Sequence, residues 1–199
     1  MRGTRLSPRT RPRAVVDSGP VYLRPPTADD EDEFLVLMQN SQGFHQPWAS
    51  APTDTTRFAT YLSDAGRSDF EAMLVCRRTD NAILGFFNLS QIVRRTLESA
   101  FLGYAVGHRF AGRGYMRAGL ELVLRRGFLV LGLHRIEANI QPDNIASIAL
   151  ARGAGFRREG FSPRYLKIGG QWRDHERWAV LIEDWERRVN GSGSRRTSA

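Results

Sequence analysis

Two hydrophobic periods alternate along this chain, and each change of period marks an element. Val21-Tyr22-Leu23-Arg24 reads as a first strand, stopped by Pro25-Pro26. Thr27 to Asp30 has the form of a helix start, with carboxylates in its first turn. Phe34, Leu37 and Met38 then keep helical spacing to Asn40. Residues 43–48 form a loop that carries Phe44, His45, Pro47 and Trp48. A second helix is predicted over 55–65, with Phe58, Tyr61 and Leu62 on one face.

Strands follow at 71–77 and 83–91, joined into a hairpin by Thr79-Asp80-Asn81, and a third covers 99–106. Met116, Leu120, Val123, Leu124, Gly127, Phe128 and Leu131 set a long helix, ending near Val130. On it Arg117, Glu121 and Arg125 fall at i, i+4 and i+8, which predicts a solvated, ion-paired face. Strand 135–140 places Ile136, Ala138 and Ile140 on one side and Glu137, Asn139 and Gln141 on the other. Pro142-Asp143-Asn144 turns into a short helix with Ile145, Ile148 and Ala149, stopped by Gly155. Two last strands, 158–168 and 172–182, meet at Gly169-Gly170. The order β-α-α-β-β-β-α-β-α-β-β predicts a mixed α/β sheet with helices on its faces, without internal repeats.

Charge first points to nucleic acid, and its placement changes that picture. The chain has 199 residues and a net charge of +8. Five arginines give the first 16 residues +5, and four give the last 13 residues +4. Subtracting these nine from +8 leaves about −1 for residues 17–186, so the folded body is near neutral. Residues 1–19 and 187–199 are expected to be disordered basic tails around one domain at 20–186. Such tails are either uninvolved extensions or weak electrostatic contacts to RNA, such as a ribosome surface. The N-terminal one has neither the apolar core of a secretory signal nor the amphipathic helix of a transit peptide. One cysteine, Cys76, excludes an internal disulfide, sits in an apolar run as a buried small hydrophobe, and suits a cytoplasmic protein. No apolar stretch reaches the ~20 residues of a membrane span. The four histidines have no metal-ligand spacing, so no metal is expected.

The chemistry concentrates in Phe110-Ala111-Gly112-Arg113-Gly114-Tyr115-Met116-Arg117, between a strand and a helix. Such a turn is either plain turn chemistry or a diphosphate site, because it presents free amides and the positive helix end. There is no G-x-x-x-x-G-K-[ST], against a nucleotide triphosphatase, and no complete G-x-G-x-x-G, against a dinucleotide fold.

With Asn144-x-x-Ser147 ahead of Gly155-Phe156, the chain resembles the GCN5-related N-acetyltransferases. It is most similar to their RimJ type, the ribosomal-protein alanine N-terminal acetyltransferases. Pro47-Trp48, Asn88-Leu89-Ser90, Leu102-Gly103-Tyr104, His134-Arg135-Ile136 and Gly170-Gln171-Trp172-Arg173-Asp174-His175 carry that likeness, over residues 20–186. It implies a mostly antiparallel sheet of about seven strands flanked by about four helices. It also implies acetyl-CoA as donor. The amides of Gly112, Arg113, Gly114, Tyr115, Met116 and Arg117 would take the pyrophosphate, with Arg113 and Arg117 as side-chain partners. Tyr104, Ala105 and Val106 would pair with the pantetheine arm like an added strand, and the Asn144 side chain would help hold it.

Acetyl transfer needs a neutral amine. An α-amino group, with a pKa near 7.7–8.0, is roughly a tenth neutral at pH 7, whereas a lysine, near 10.4, is neutral to well under ~0.1%. An N-terminal acetyltransferase therefore works with a weak base or a water relay. The resemblance carries no family carboxylate over cleanly: Asn139 and Leu166 stand where relatives place one. Glu137 is the candidate base, acting through a water that Asn139 orients, or else a simple ion-pairing residue. Ser147 takes the place of a serine that protonates the leaving thiolate or bonds the CoA sulfur, or else bonds its own helix. Phe44, Trp48, Asn88, Ser90 and Tyr165 are the expected acceptor-groove residues. The expected acceptor is a protein N-terminus, ribosomal and starting with Ala or Ser. The alternatives are a small amine such as an antibiotic or polyamine, and a non-catalytic CoA-binding module that docks on the ribosome; the oligomeric state is open between monomer and dimer.

Overall fold

The computed structural model describes residues 16–193, with side chains over 19–191. The strands are β1 Val16–Ser18, β2 Val21–Arg24, β3 Phe70–Arg77, β4 Ile83–Val93, β5 Ser99–Val106, β6 Arg135–Ile140, β7 Arg157–Ile168 and β8 Gln171–Leu181. The helices are α1 Glu31–Gln39, α2 Gln42–His45, α3 Thr55–Ala65, α4 Tyr115–Leu129, α5 Ile145–Gly153 and α6 Ile182–Gly193. One eight-stranded sheet has the order β1-β2-β3-β4-β5-β6-β8-β7. Every pairing is antiparallel except β5 with β6.

β3 and β4 run through the middle and are buried on both faces, which explains their unbroken apolar runs. Successive side chains on a strand point to opposite faces, so Phe86 and Phe87 divide the molecule. Phe86 packs with Phe34 of α1 and Tyr61 of α3, at centroid distances of 5.6 and 5.8 Å. Phe87 lies under α4, where a Cβ added to Gly119 would come within 3.0 Å of its ring. Thus α1 and α3 cover one face, and α4 with α5 covers the other. On β6 the expected alternation holds: Ile136, Ala138 and Ile140 are buried, and Glu137 and Asn139 are half-buried on the opposite side.

The predicted α/β class and element order describe the sheet, with three corrections. Val16–Ser18, inside the expected N-terminal tail, pairs with β2 through Val16 and Leu23. Residues 1–15 and 194–199 of the expected tails lie outside the described residues. At the other end, α6 continues to Gly193 through residues expected to be tail. Gly191 and Gly193 hide this helix, yet Ile182, Trp185 and Val189 recur at helical spacing. Trp185 is buried against Phe128, 5.5 Å between centroids, and its indole N–H donates to Glu121 Oε1 at 2.9 Å. Arg188 binds the same carboxylate at 2.7 Å. Glu121 is therefore drawn to α6, instead of serving the predicted Arg117-Glu121-Arg125 ladder. Finally, residues expected as loop form the short helix α2.

One buried ion pair fixes the first crossing from sheet to helix. Arg24 is fully buried and donates two hydrogen bonds to Asp30, at 2.7 and 2.6 Å. The Thr27 amide and hydroxyl donate to the same carboxylate at 2.8 and 3.0 Å. Burial alone would raise the Asp30 pKa; the Arg24 and Thr27 hydrogen bonds outweigh it and hold it below the usual carboxylate value. Asp30→Ala leaves a buried guanidinium without its counter-charge and is expected to cost about 3–5 kcal/mol in denaturant unfolding. The lowered folded pKa sets the sign with pH. This carboxylate's contribution is complete above the unfolded pKa and is lost as pH falls through the folded one. The stability gap between wild type and Asp30→Ala should therefore narrow in acid.

Candidate active site

The pairing between β5 and β6 stops early. Only Ser99, Ala100 and Phe101 face Arg135, Ile136 and Glu137 in register. Beyond them β5 stays paired with β4 as far as Val106, and β6 stays paired with β8 as far as Ile140. The sheet thus splits down its middle, leaving one edge of residues 102–106 without a strand beside it.

Two arms of one segment bridge that split. His45 Nε2 donates to the Val106 carbonyl at 2.8 Å, which requires the proton on Nε2. The Gln141 amide, past the end of β6, donates to the Pro47 and Trp48 carbonyls at 3.1 and 3.3 Å. Ser41 Oγ adds a third tie, accepting from the His108 amide at 2.9 Å and donating to the Leu37 carbonyl at 2.7 Å. From the sequence His45 is expected only as part of the 43–48 loop and Gln141 only on the polar side of its strand, and Ser41 is not expected to take part. Their signal is indirect: polar residues that end buried in a segment expected as loop or at a strand end.

Between these walls lies a cavity of about 380 Å³. Phe44, His45 and Trp48 line it from the α1 and α3 side; Tyr104, Met116, Asn144, Ser147 and Leu150 line it from the α4 and α5 side. Ala105, Val106, Gly112, Gly114, Tyr115 and Arg117 complete most of the wall. Its size suits an extended small molecule. Among the lining residues Arg117 is the permanent charge, and none is a carboxylate.

The α4 end of the cavity is built for an anion. Gly112 and Gly114 have φ of +71° and +79°, a region that side chains with a Cβ seldom adopt. Gly114 is the N-cap, so no side chain accepts from the first-turn amides of α4. These amides and the positive helix end face the cavity. Phe110 anchors the turn: it is buried, with the Arg77 and Arg109 guanidinium groups 5.4 and 4.6 Å from its ring centroid. Arg77 in turn donates to Asp80 at 2.9 and 2.6 Å.

At the α5 end, Asn144 Oδ1 caps the helix by accepting from the Ser147 amide at 3.1 Å. Asn144 is also part of the cavity wall. Ser147 stands beside Tyr104, whose hydroxyl is buried without a formed hydrogen bond. Burial pushes the Tyr104 phenol up, and the Ser147 hydroxyl only partly opposes that.

The remaining expected site residues do not line this cavity. Arg113 is exposed on the turn. Strand register places Ser90 beside Phe101 and thence Glu137, and places Asn88 beside Gly103. All share the α1 and α3 face with Asn139. A Cβ on Gly103 would meet nothing within 4 Å, so open space lies between Asn88 and the split. Asn88 Oδ1 accepts from the Tyr61 hydroxyl at 3.0 Å, whereas the buried Asn139 Oδ1 has no protein partner. Glu137 accepts from Arg135 at 2.9 Å, and Arg135 also donates to Glu159 at 3.0 Å. Tyr165 lies in a bulge of β7, its ring edge-on to buried His175 at 6.3 Å. Burial lowers the His175 pKa. Among the described residues no cluster of His, Cys, Asp or Glu could hold a metal ion, and no helix is long and apolar enough to cross a membrane.

Known proteins share this arrangement. The acetyltransferase (GNAT) domain matches residues 21–157. The protein named Probable N-acetyltransferase YjcK of Bacillus subtilis is 30% identical over 174 residues, 83% of this chain and 96% of its own. The ribosomal protein uS5-alanine N-acetyltransferase of Escherichia coli is 38% identical over 106 residues, 53% of this chain and 55% of that enzyme. Among solved structures, Mycobacterium smegmatis RimJ in complex with CoA-disulfide superposes with a TM-score of 0.77 at 28% identity, over 86% of this chain and 89% of that one. A more distant relative, spermidine N(1)-acetyltransferase of Vibrio cholerae, is 22% identical over 151 residues, 74% of this chain and 86% of that enzyme. With the domain match over most of its length, the split sheet and the glycine turn before α4, this chain belongs to the GNAT acetyltransferases.

Proposed function

We propose that this protein moves the acetyl group of acetyl-CoA to the N-terminal α-amino group of a protein, preferably a ribosomal protein beginning with Ala or Ser. The observation that carries this is the cavity through the split sheet. It has an amide-lined, cationic end beside α4 and is closed from the other face by Phe44, His45 and Trp48, with Asn88, Gly103 and Asn139 beyond it on that face.

The residues fit the donor. The amides of 112–117 and the Arg117 guanidinium suit its diphosphate. Arg113, exposed on the same turn, is a further phosphate partner. The free edge of residues 102–106 offers main-chain hydrogen bonds to an extended amide-bearing arm, and the Asn144 amide adds another donor. Bound acetyl-CoA supplies a thioester carbonyl for the amine to attack. A backbone N–H of that edge polarises its oxygen. As the N–C bond forms and the C–S bond breaks, the electron pair goes to sulfur, where the Ser147 hydroxyl donates a hydrogen bond. The amine's proton passes to water.

The face bearing Asn88, Gly103 and Asn139 would receive the acceptor, with Phe44 and Trp48 at its mouth and Ser90 and Tyr165 farther out. Asn139 Oδ1 suits an amine N–H or an ordered water. Glu137, tied to Arg135, is a base at a distance through such a water. An α-amine is partly neutral near pH 7 and needs no strong base, whereas a lysine would. Glu137 and Glu159 share Arg135 as ion-pair partner, and no residue lining the cavity is a carboxylate, which supports a peptide over a polycation. The likeness to uS5-alanine N-acetyltransferase supports the same choice.

CoA release, measured over peptides starting with free alanine or serine, a blocked peptide with internal lysine, spermidine and an aminoglycoside, tests this. Turnover is expected on the free N-termini alone. Turnover confined to the small amines would contradict the protein acceptor, and CoA binding without turnover on any acceptor would contradict the enzyme reading. Arg117→Ala should raise the KM for acetyl-CoA about fivefold through a lost charge-assisted hydrogen bond, with kcat little changed, in steady-state assays.

A further inference from the structure

Tyr104 carries a hydroxyl that the fold does not use. Its ring packs on Phe87, with centroids 5.4 Å apart, which puts the side chain on the α4 and α5 side of β5. The ring forms part of the cavity wall, and the hydroxyl oxygen is out of water with no formed hydrogen bond among the described residues. Buried polar groups almost always find partners, and a hydroxyl kept for stability alone would have one. The polar side chain beside it is Ser147, on the same cavity wall.

A serine hydroxyl holds one proton and two acceptor sites, so its direction depends on what donates to it. Burial disfavours the charged phenolate, so the phenol keeps its proton and acts as a donor. Once it donates to Ser147 Oγ, the serine's own proton must point elsewhere. The open direction is the cavity.

We propose that Tyr104 is a positioning residue: when acetyl-CoA is bound, its hydroxyl donates to Ser147 Oγ and thereby turns the Ser147 proton toward the departing sulfur. This rests on the reading of Ser147 given above. No proton leaves either residue. As the C–S bond breaks, its electron pair settles on sulfur and meets an O–H already aimed at it. Two polarised hydroxyls in series donate more strongly than one.

Tyr104→Phe keeps the ring against Phe87 and removes only the hydroxyl, so three enzymes compared with wild type test the proposal: Tyr104→Phe, Ser147→Ala and the double variant. Thermal unfolding of Tyr104→Phe without acetyl-CoA should match or exceed wild type, because the hydroxyl has no formed hydrogen bond in the free protein. Its kcat is expected to fall about tenfold, the size of a lost hydrogen bond to developing charge, with the KM for acetyl-CoA unchanged. In the Ser147→Ala background the same change should cost nothing more, since it acts through the serine. Wild-type kcat in Tyr104→Phe overturns the proposal, as does an equal loss in both backgrounds. A lowered unfolding temperature also overturns it, because the hydroxyl would then be structural. If Ser147→Ala itself keeps full kcat, the assignment of Ser147 fails along with it. If Ser147→Ala alone loses activity, only the role of Tyr104 fails.

Discussion

The early end of the β5–β6 pairing is the constraint on which the site depends. A continuous sheet would bury the edge of residues 102–106 in a ladder and seal its two faces from each other. Here each strand keeps its outer partner, β4 for β5 and β8 for β6, so the separation costs only the inner hydrogen bonds. The split stays open because other groups occupy it. His45 takes the Val106 carbonyl, and Gln141 holds the backbone at Pro47 and Trp48. In the proposed reaction acceptor and donor reach one another through the sheet, from opposite faces, without crossing its edge.

Around that opening the chemistry is divided by face. The α4 and α5 side supplies positive potential, from first-turn amides and Arg117, and the neighbouring hydroxyls of Tyr104 and Ser147. The α1 and α3 side supplies neutral polar groups, Asn88 and Asn139, with the neighbouring Glu137 bound to Arg135. A phosphate-bearing donor belongs on the first side by charge. The second is the side proposed for the acceptor amine. Strand parity produces this division: Tyr104 and Gly103 are neighbours in the chain and face opposite ways.

Much of this was legible in the sequence because periodicity and turn chemistry are local. The alternation over 135–140 placed Ile136, Ala138 and Ile140 in the core, and α3 begins and ends at the predicted residues. The glycines at 112 and 114 announced a turn before a helix, and the φ angles there are positive. Long-range pairing was the part that local pattern could not supply. Nothing near Gln141 shows that it reaches back to Pro47, and nothing near Glu121 shows that Arg188 claims it. Ending β5–β6 pairing after Phe101 is likewise a property of two strands far apart in the chain. The helix α6 escaped notice for a different reason: its glycines have poor helix propensity, and tertiary packing of Trp185 overrides it.

Hydrogen exchange of backbone amides, with and without acetyl-CoA, tests the central claim most directly. If the donor lies along the free edge of β5 and against the start of α4, exchange should slow at residues 102–106 and 112–117. The amides of β3 and β7 should be unaffected. Binding that leaves both stretches unprotected, or that protects the β7–β8 hairpin instead, would contradict the split sheet as the donor site.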